Sequence, residues 1–250
     1  MNNFFRKKEW WESLAANFFG ALLGIIVTFG TANYLENREK QAMGRTSALM
    51  TISDIELSIH ELERDCKQFE ADRAIYSTVL SHYPDELDQV PLDTLSLYVN
   101  SFFTTKYFVV NPSAEGIFAH SSDIWRVLDN HTLQQRIGHC FALRNMLNSL
   151  AIQIRNQIQE AGRGFFMEKY FSDREDFRAA VKELTARPGV RHYLTIYPID
   201  VDWVIEKLHE LKQMNERNKR DMNITDEELA KYLEFAREKY GTSESEDSAE

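Results

Sequence analysis

Five prolines and ten glycines are scattered through 250 residues. A many-stranded sandwich needs a turn about every 8–12 residues, and this chain lacks the turn formers for it. Long helices follow from that shortage. Cysteine is scarce as well. Cys66 and Cys140 cannot build a disulfide framework or a zinc site. They offer either one bridge in an oxidising compartment or two buried thiols packed as small apolar groups. The sequence contains no GxxxxGK[ST], no GxGxxG after a strand, no G-x-S-x-G and no H-E-x-x-H, so no nucleotide, hydrolase or zinc-protease motif is present. Basic charge is also short, at 29 Lys and Arg against 39 Asp and Glu. Five of those basic and four of those acidic residues fall in the first 40, leaving a net of −11 for the rest. An acidic surface repels phosphate backbones, which argues against nucleic acid as a partner.

What the chain does have is an uncharged run near its start. Leu14–Leu35, LAANFFGALLGIIVTFGTANYL, spans roughly 33 Å as a helix, enough for a hydrocarbon core. Trp10 and Trp11 lie at one end and Tyr34 at the other, where amphipathic rings favour the interface. The competing readings are a buried core helix and a cleaved leader, with Gly30 and Ala32 as small residues at a cleavage site. Glu9 and Glu12 are unusual in a leader, and the helical pattern runs on past Ala32 into Asn33–Lys40 without a turn. An uncleaved anchor is the expectation, with the membrane bilayer as its partner. Basic residues are balanced across it, Arg6, Lys7 and Lys8 against Arg38, Lys40 and Arg45. The compact N-terminal cluster favours a cytoplasmic N-terminus (residues 1–13) and a domain on the far side. Small residues recur every fourth position at Ala16, Gly20, Gly24 and Thr28. This spacing lets two membrane helices approach closely and offers a face for self-association; the alternative reading is that glycine is simply common in membrane helices.

From Glu36 to His82 there is one glycine and no proline. Ala48, Ile52, Ile55, Ile59, Leu62, Cys66 and Phe69 step by four and three, a heptad seam flanked by charge. The spacing predicts that the membrane helix runs into one long helix, ended by Pro84 and the acidic residues after it. A second broad apolar face, Leu133, Ile137, Cys140, Leu147, Leu150, Ile154, Ile158 and Ala161, predicts a second long helix. That helix is the natural hairpin partner of the first, and Gly162 and Gly164 are expected to end it. Shorter helices are predicted over 92–104, 113–119 and 172–186, the last opened by a Ser172/Glu175 capping box. Two more are predicted from Pro198 and from a Thr225/Glu228 capping box to Gly241. Lys106–Val110 and Val190–Tyr197 read as extended pieces, a minor two-stranded element. Thr242–Glu250 is Ser- and Glu-rich with no apolar anchor and reads as a disordered acidic tail. The expected fold is an all-α bundle over 36–241.

Candidate chemistry is thin. Glu206-x-x-His209 is half of a di-iron motif that needs a second copy, and none exists. Glu56, His60 and Glu63 share a helix face and read as polar flankers of the seam rather than metal ligands. His139 points about 100° away from Cys140 on a helix, so it cannot easily activate that thiol. Phe102, Phe103, Tyr107 and Phe108, and again Phe165, Phe166, Tyr170 and Phe171, read as an aromatic core cap, with an apolar groove as the alternative. No cofactor is expected.

The N-terminal pattern and the block Ser113–Phe141, SAEGIFAHSSDIWRVLDNHTLQQRIGHCF, resemble an uncharacterised bacterial family classed as a domain of unknown function. Its members have a short basic N-terminus, one membrane helix and a long charged helix. The resemblance covers about the first 60 residues in pattern and the middle block more closely. It implies an inner-membrane protein with an extracytoplasmic helical domain, and supplies no activity and no functional residues. The combined expectation is a non-enzymatic envelope scaffold or interaction module with an unidentified envelope partner. The alternatives are a ligand-sensing bundle and an enzyme whose site is not visible in sequence.

Overall fold

The computed structural model of the protein describes residues 3–103, 113–121, 125, 126, 128–166 and 174–240. Among these are seven α-helices and no strand. They are α1 (Asn3–His82), α2 (Leu92–Ser101), α3 (Ser113–His120), α4 (His131–Phe166), α5 (Arg174–Ala186), α6 (Pro188–Asp221) and α7 (Asp226–Tyr240), with a 3-10 turn at Leu87–Gln89.

α1 is 80 residues long, about 120 Å. Its described side chains from Phe18 to Met43 are all exposed, and Gly44 is the first buried residue. Above that point the seam is covered: Ile52, Ile55, Ile59, Leu62 and Phe69 are all buried. The apolar N-terminal stretch is long enough and apolar enough to cross a membrane, and none of it is buried within the chain. By length and composition the segment is a candidate membrane span or signal sequence.

α4 and α6 complete the core around α1. Arg144 of α4 reaches Asp54 of α1, and Arg155 reaches Asp65. The sequence separation is 90 in both pairs, so the two helices run parallel. α6 runs the other way. Glu56, Glu63 and Arg73 going up α1 meet Lys219, Lys212 and Asp202 going down α6. The same reversal holds against α4, where Tyr193 donates to the Ile154 carbonyl and Asn218 to the Cys140 sulfur. The long helices therefore form a bundle in which α6 is the antiparallel partner of both others. The expected pairing of α1 with α4 is present, but side by side in the same direction. The chain returns through α2 and α3 before α4 begins.

Two expectations about breaks are corrected. Val190–Tyr197 is helical, part of an α6 that starts with Pro188 in its first turn and continues through Pro198. Its buried residues Val190, Tyr193, Leu194, Tyr197 and Val201 step by three and four. The burial of that stripe outweighs one backbone hydrogen bond lost at Pro198. Its proposed partner strand, Lys106–Val110, lies outside the described residues, as do Ser172, Gly241 and the expected tail Thr242–Glu250. α4 runs through both Gly162 and Gly164 to Phe166.

Gly162 serves packing instead. A Cβ there would lie 2.4 Å from the Phe102 ring, and Phe102 is itself buried. Gly162→Ala gains about 1 kcal/mol of helix propensity. It is nonetheless expected to lose about 1–2 kcal/mol net, because the ring has nowhere to move. Gly164→Ala meets only the tip of Arg187 at 3.9 Å and is expected to be neutral or stabilising. Thermal unfolding of the two variants checks the contrast.

Candidate functional site

Among the described residues, the charged side chains that the fold buries, Arg144, Arg155 and Lys219, all reach carboxylates of α1. On the α4 side, Arg144 is fully buried. It donates to Asp54 at 2.8 Å and to Glu115 of α3 at 2.9 Å, and its guanidinium lies 4.7 Å from the centre of the Phe141 ring. Three turns further on, Arg155 donates to Asp65 at 2.6 Å and sits 5.3 Å from the Phe69 ring centre. Eleven residues separate the two arginines and the two aspartates alike, close to a whole number of turns. Both pairs therefore lie along one face of each helix. Burial raises the pKa of Asp54 and of Asp65 despite the arginine beside each.

On the α6 side, Lys219 lies 3.1 Å from Glu56 and 2.6 Å from Glu216. Burial opposes its charge, but the hydrogen bonds to Glu216 and Glu56 hold its pKa above the ordinary value. Asn215 donates to Glu56 at 2.7 Å and to the Ile52 carbonyl at 3.3 Å. Lys212 pairs with Glu63 and holds its carboxyl below the usual range, chiefly by hydrogen bonding. His60 sits 3.4 Å from Glu63 and 3.9 Å from Glu56, so the face considered for a metal has its carboxylates committed to lysines. Among the described residues no group of three His, Cys, Asp or Glu is arranged to hold a metal. Glu206 and His209 lie exposed on the outer face of α6.

Further from the N-terminus the core turns aromatic. Tyr76 meets Tyr98 and Tyr197 edge-on, and Phe102 meets Tyr98 in the same way. Each of these tyrosine hydroxyls has a partner. Tyr76 donates to Ser101, Tyr193 to the Ile154 carbonyl, and Tyr197 to the Phe69 carbonyl; Tyr98 shares a hydrogen bond with Thr185. Burial pushes all four phenols above their ordinary range, so they stay protonated. Between Tyr76, Tyr193, Tyr197, Asp72 and Arg155 lies a cavity of about 20 Å³, room for about one water molecule. Phe102 and Phe165 belong to this buried core. Tyr107, Phe108, Tyr170 and Phe171 lie outside the described residues.

Asp72 faces this cavity, with Gln68 donating to it at 2.9 Å. Burial raises its pKa. The folded state thus holds its proton more tightly than the unfolded chain. That contribution to stability is full below the unfolded value and is lost as pH rises through the folded one. Asp72→Asn mimics the protonated form and keeps the acceptor. It is expected to raise Tm by on the order of 2 °C at pH 7.5, with the advantage vanishing toward pH 4. Melting curves of both proteins across that range check it.

Cys66 and Cys140 are buried and unbridged. The separation of 90 that aligns α1 with α4 puts Cys140 level with Met50. Cys66 is sixteen residues further along, about 24 Å, beyond the reach of a disulfide. Burial pushes the Cys66 thiol up to about 12 and that of Cys140 to about 11, so neither is a ready nucleophile.

Of the residues singled out on the N-terminal segment, Ala16, Gly20, Gly24 and Thr28 all lie in α1. A Cβ at Gly20 or Gly24 would meet nothing within 4 Å, and Thr28 donates to the Gly24 carbonyl at 2.7 Å. The side chain of Ala16 is outside the described ones. The charged residues that fasten α1 do not stand out in the sequence. One signal is present: Arg144 stands between Cys140 and Leu147, in a position where the α4 stripe calls for an apolar residue. No protein-family model, curated protein or solved structure matches the chain.

Proposed function

We propose that this protein is a membrane-anchored helical scaffold or protein-interaction module of the bacterial envelope, and that it is not an enzyme. The observation that carries the reading is the continuity of α1. The helix leaves an apolar segment whose described side chains are all exposed and enters the bundle without a break. An apolar helix that its own chain leaves bare needs another apolar phase, and a bilayer supplies it. The unbroken path through Ala32 favours a retained anchor over a cleaved leader. A bundle locked by paired charges, with a cavity of water size and unreactive thiols, suits a rigid binding surface better than catalysis. The resemblance to an inner-membrane family points the same way, with residues 1–13 in the cytoplasm and the bundle outside it. Gly20 and Gly24, bare within the chain, supply a face for a second copy.

The test is topology. A compartment-sensitive reporter fused after Glu250 is expected to signal an extracytoplasmic location. Protease is expected to reach the bundle only after the outer barrier is opened. Intact mass of the purified protein is expected to include residues 1–35. A chain beginning near Asn33 would overturn the anchor, and a cytoplasmic reporter signal would overturn the envelope reading.

A further inference from the structure

α7 is attached differently from the rest of the bundle. Ile52, Ile224 and Leu229, with Leu49, Met222 and Leu233 packed against them, form a small apolar cluster that meets the main core only through Met222 among the described residues. Ala48 and Ile55, the neighbouring seam positions on α1, belong to the main core. A polar contact at the edge ties α7 to α1: Arg45 donates to the two Glu228 oxygens at 3.0 and 3.3 Å, and to the Asn223 carbonyl at 3.5 Å.

The backbone on both sides of the connection is self-sufficient. α6 ends in a Schellman motif. Ile224 N–H donates to the Lys219 carbonyl and Asn223 N–H to that of Arg220, with Asn223 at φ 51°. α7 opens with a reciprocal capping box, Glu228 N–H to the Thr225 hydroxyl and Thr225 N–H to the Glu228 carboxylate. These helix-end groups are satisfied without the docking of α7 against α1. Moving α7 away therefore breaks no backbone hydrogen bond of the turn. It withdraws Leu229 and Leu233 from the small cluster and gives up the Arg45 contact, which water can replace at the edge of the molecule.

We propose that α7 is a releasable strap, closing over the first turns of α1 beyond its bare segment and opening as a unit while α1, α4 and α6 stay packed. Opening takes Leu229 and Leu233 off Leu49 and Ile52, a switchable apolar strip beside the point where α1 enters the bundle, while Ile224 stays with the end of α6. Elements held by few buried contacts are the ones that open locally below the free energy of global unfolding.

Hydrogen exchange of the full-length chain in detergent reads this directly. The inner amides of α7, Leu229–Leu233, are expected to exchange at least about 100-fold faster than those of α4 and α6 at their buried positions. Arg45→Glu sets like charges against each other and is expected to speed α7 about tenfold more, leaving α4 and α6 unchanged. Exchange of α7 within about threefold of α6 would overturn the proposal. So would an Arg45→Glu effect shared by all three helices, because α7 would then be part of one cooperative unit.

Discussion

Ile59→Asp is expected to abolish cooperative folding of the bundle. Ile59 is 1% exposed and sits mid-seam, one turn from both Ile55 and Leu62, with α6 and α4 packed over it. The substitution forfeits about 2 kcal/mol of apolar burial. It also forces a carboxylate either to ionise without a partner or to take up a proton at several kcal/mol of cost. Together these consume most of the roughly 5–15 kcal/mol that holds a domain of ordinary stability together. The same change at Ile199, 67% exposed on the outer face of α6, is expected to move Tm by less than about 2 °C. Circular-dichroism melts of the two variants decide it. A cooperative transition for Ile59→Asp near the wild-type Tm would mean that the seam is not what holds α1 in the bundle.

The seam is legible because burial on a helix leaves a period in the sequence. Isoleucine, leucine and phenylalanine at steps of three and four mark a buried helix face and little else. The scarcity of glycine and proline likewise makes the helical class readable, and Thr225 with Glu228 gives away the start of α7 through its local chemistry. Direction is not readable. Nothing in the α4 stripe says whether it runs along α1 or against it, because an apolar face is symmetric in that respect. The information sits in which charges are covered. Asp54 and Asp65 are scattered among Glu56, Glu61 and Glu63 on a helix that is charged all along its flanks, and the sequence does not mark the pairs that α4 covers. Pro198 misleads for a related reason. A local rule against proline in helices competes with the three-four spacing of Val190, Tyr193, Leu194, Tyr197 and Val201, and the spacing summed over a long stripe carries more energy. The disulfide fails with the direction of α4, since a parallel pair separates Cys66 and Cys140 by several turns.

Arg144→Ala is the second change with a large expected effect, about 3–5 kcal/mol and a fall in Tm of roughly 10 °C. Arg144 has no exposed side-chain surface, whereas its partners Asp54 and Glu115 keep 18% and 39% of theirs. Removing the guanidinium leaves Glu115 free to turn toward water but strands Asp54, whose carboxyl is already held up by burial. It also empties the space over the Phe141 ring and loosens α3, leaving Glu115 held to α4 by Asn145 alone. The loss should depend on pH. Without Arg144 the folded pKa of Asp54 climbs further above its unfolded value. The cost is then full at neutral pH, where the unfolded chain ionises freely. It shrinks as pH falls through the folded value and is gone only below the unfolded one, about 4, where Asp54 is protonated in both states. The double change Arg144→Met with Asp54→Leu removes both charges and keeps the volume, and is expected to recover more than half of the loss. Denaturant unfolding at pH 7 and pH 4.5 separates the cases. If the double variant is as unstable as Arg144→Ala and the loss is the same at both pH values, the pair is itself a net source of stability. If the double variant recovers, the pair contributes little net stability. Its role is then to fix the parallel register of α1 and α4, which an apolar interface alone leaves free to slip by a heptad.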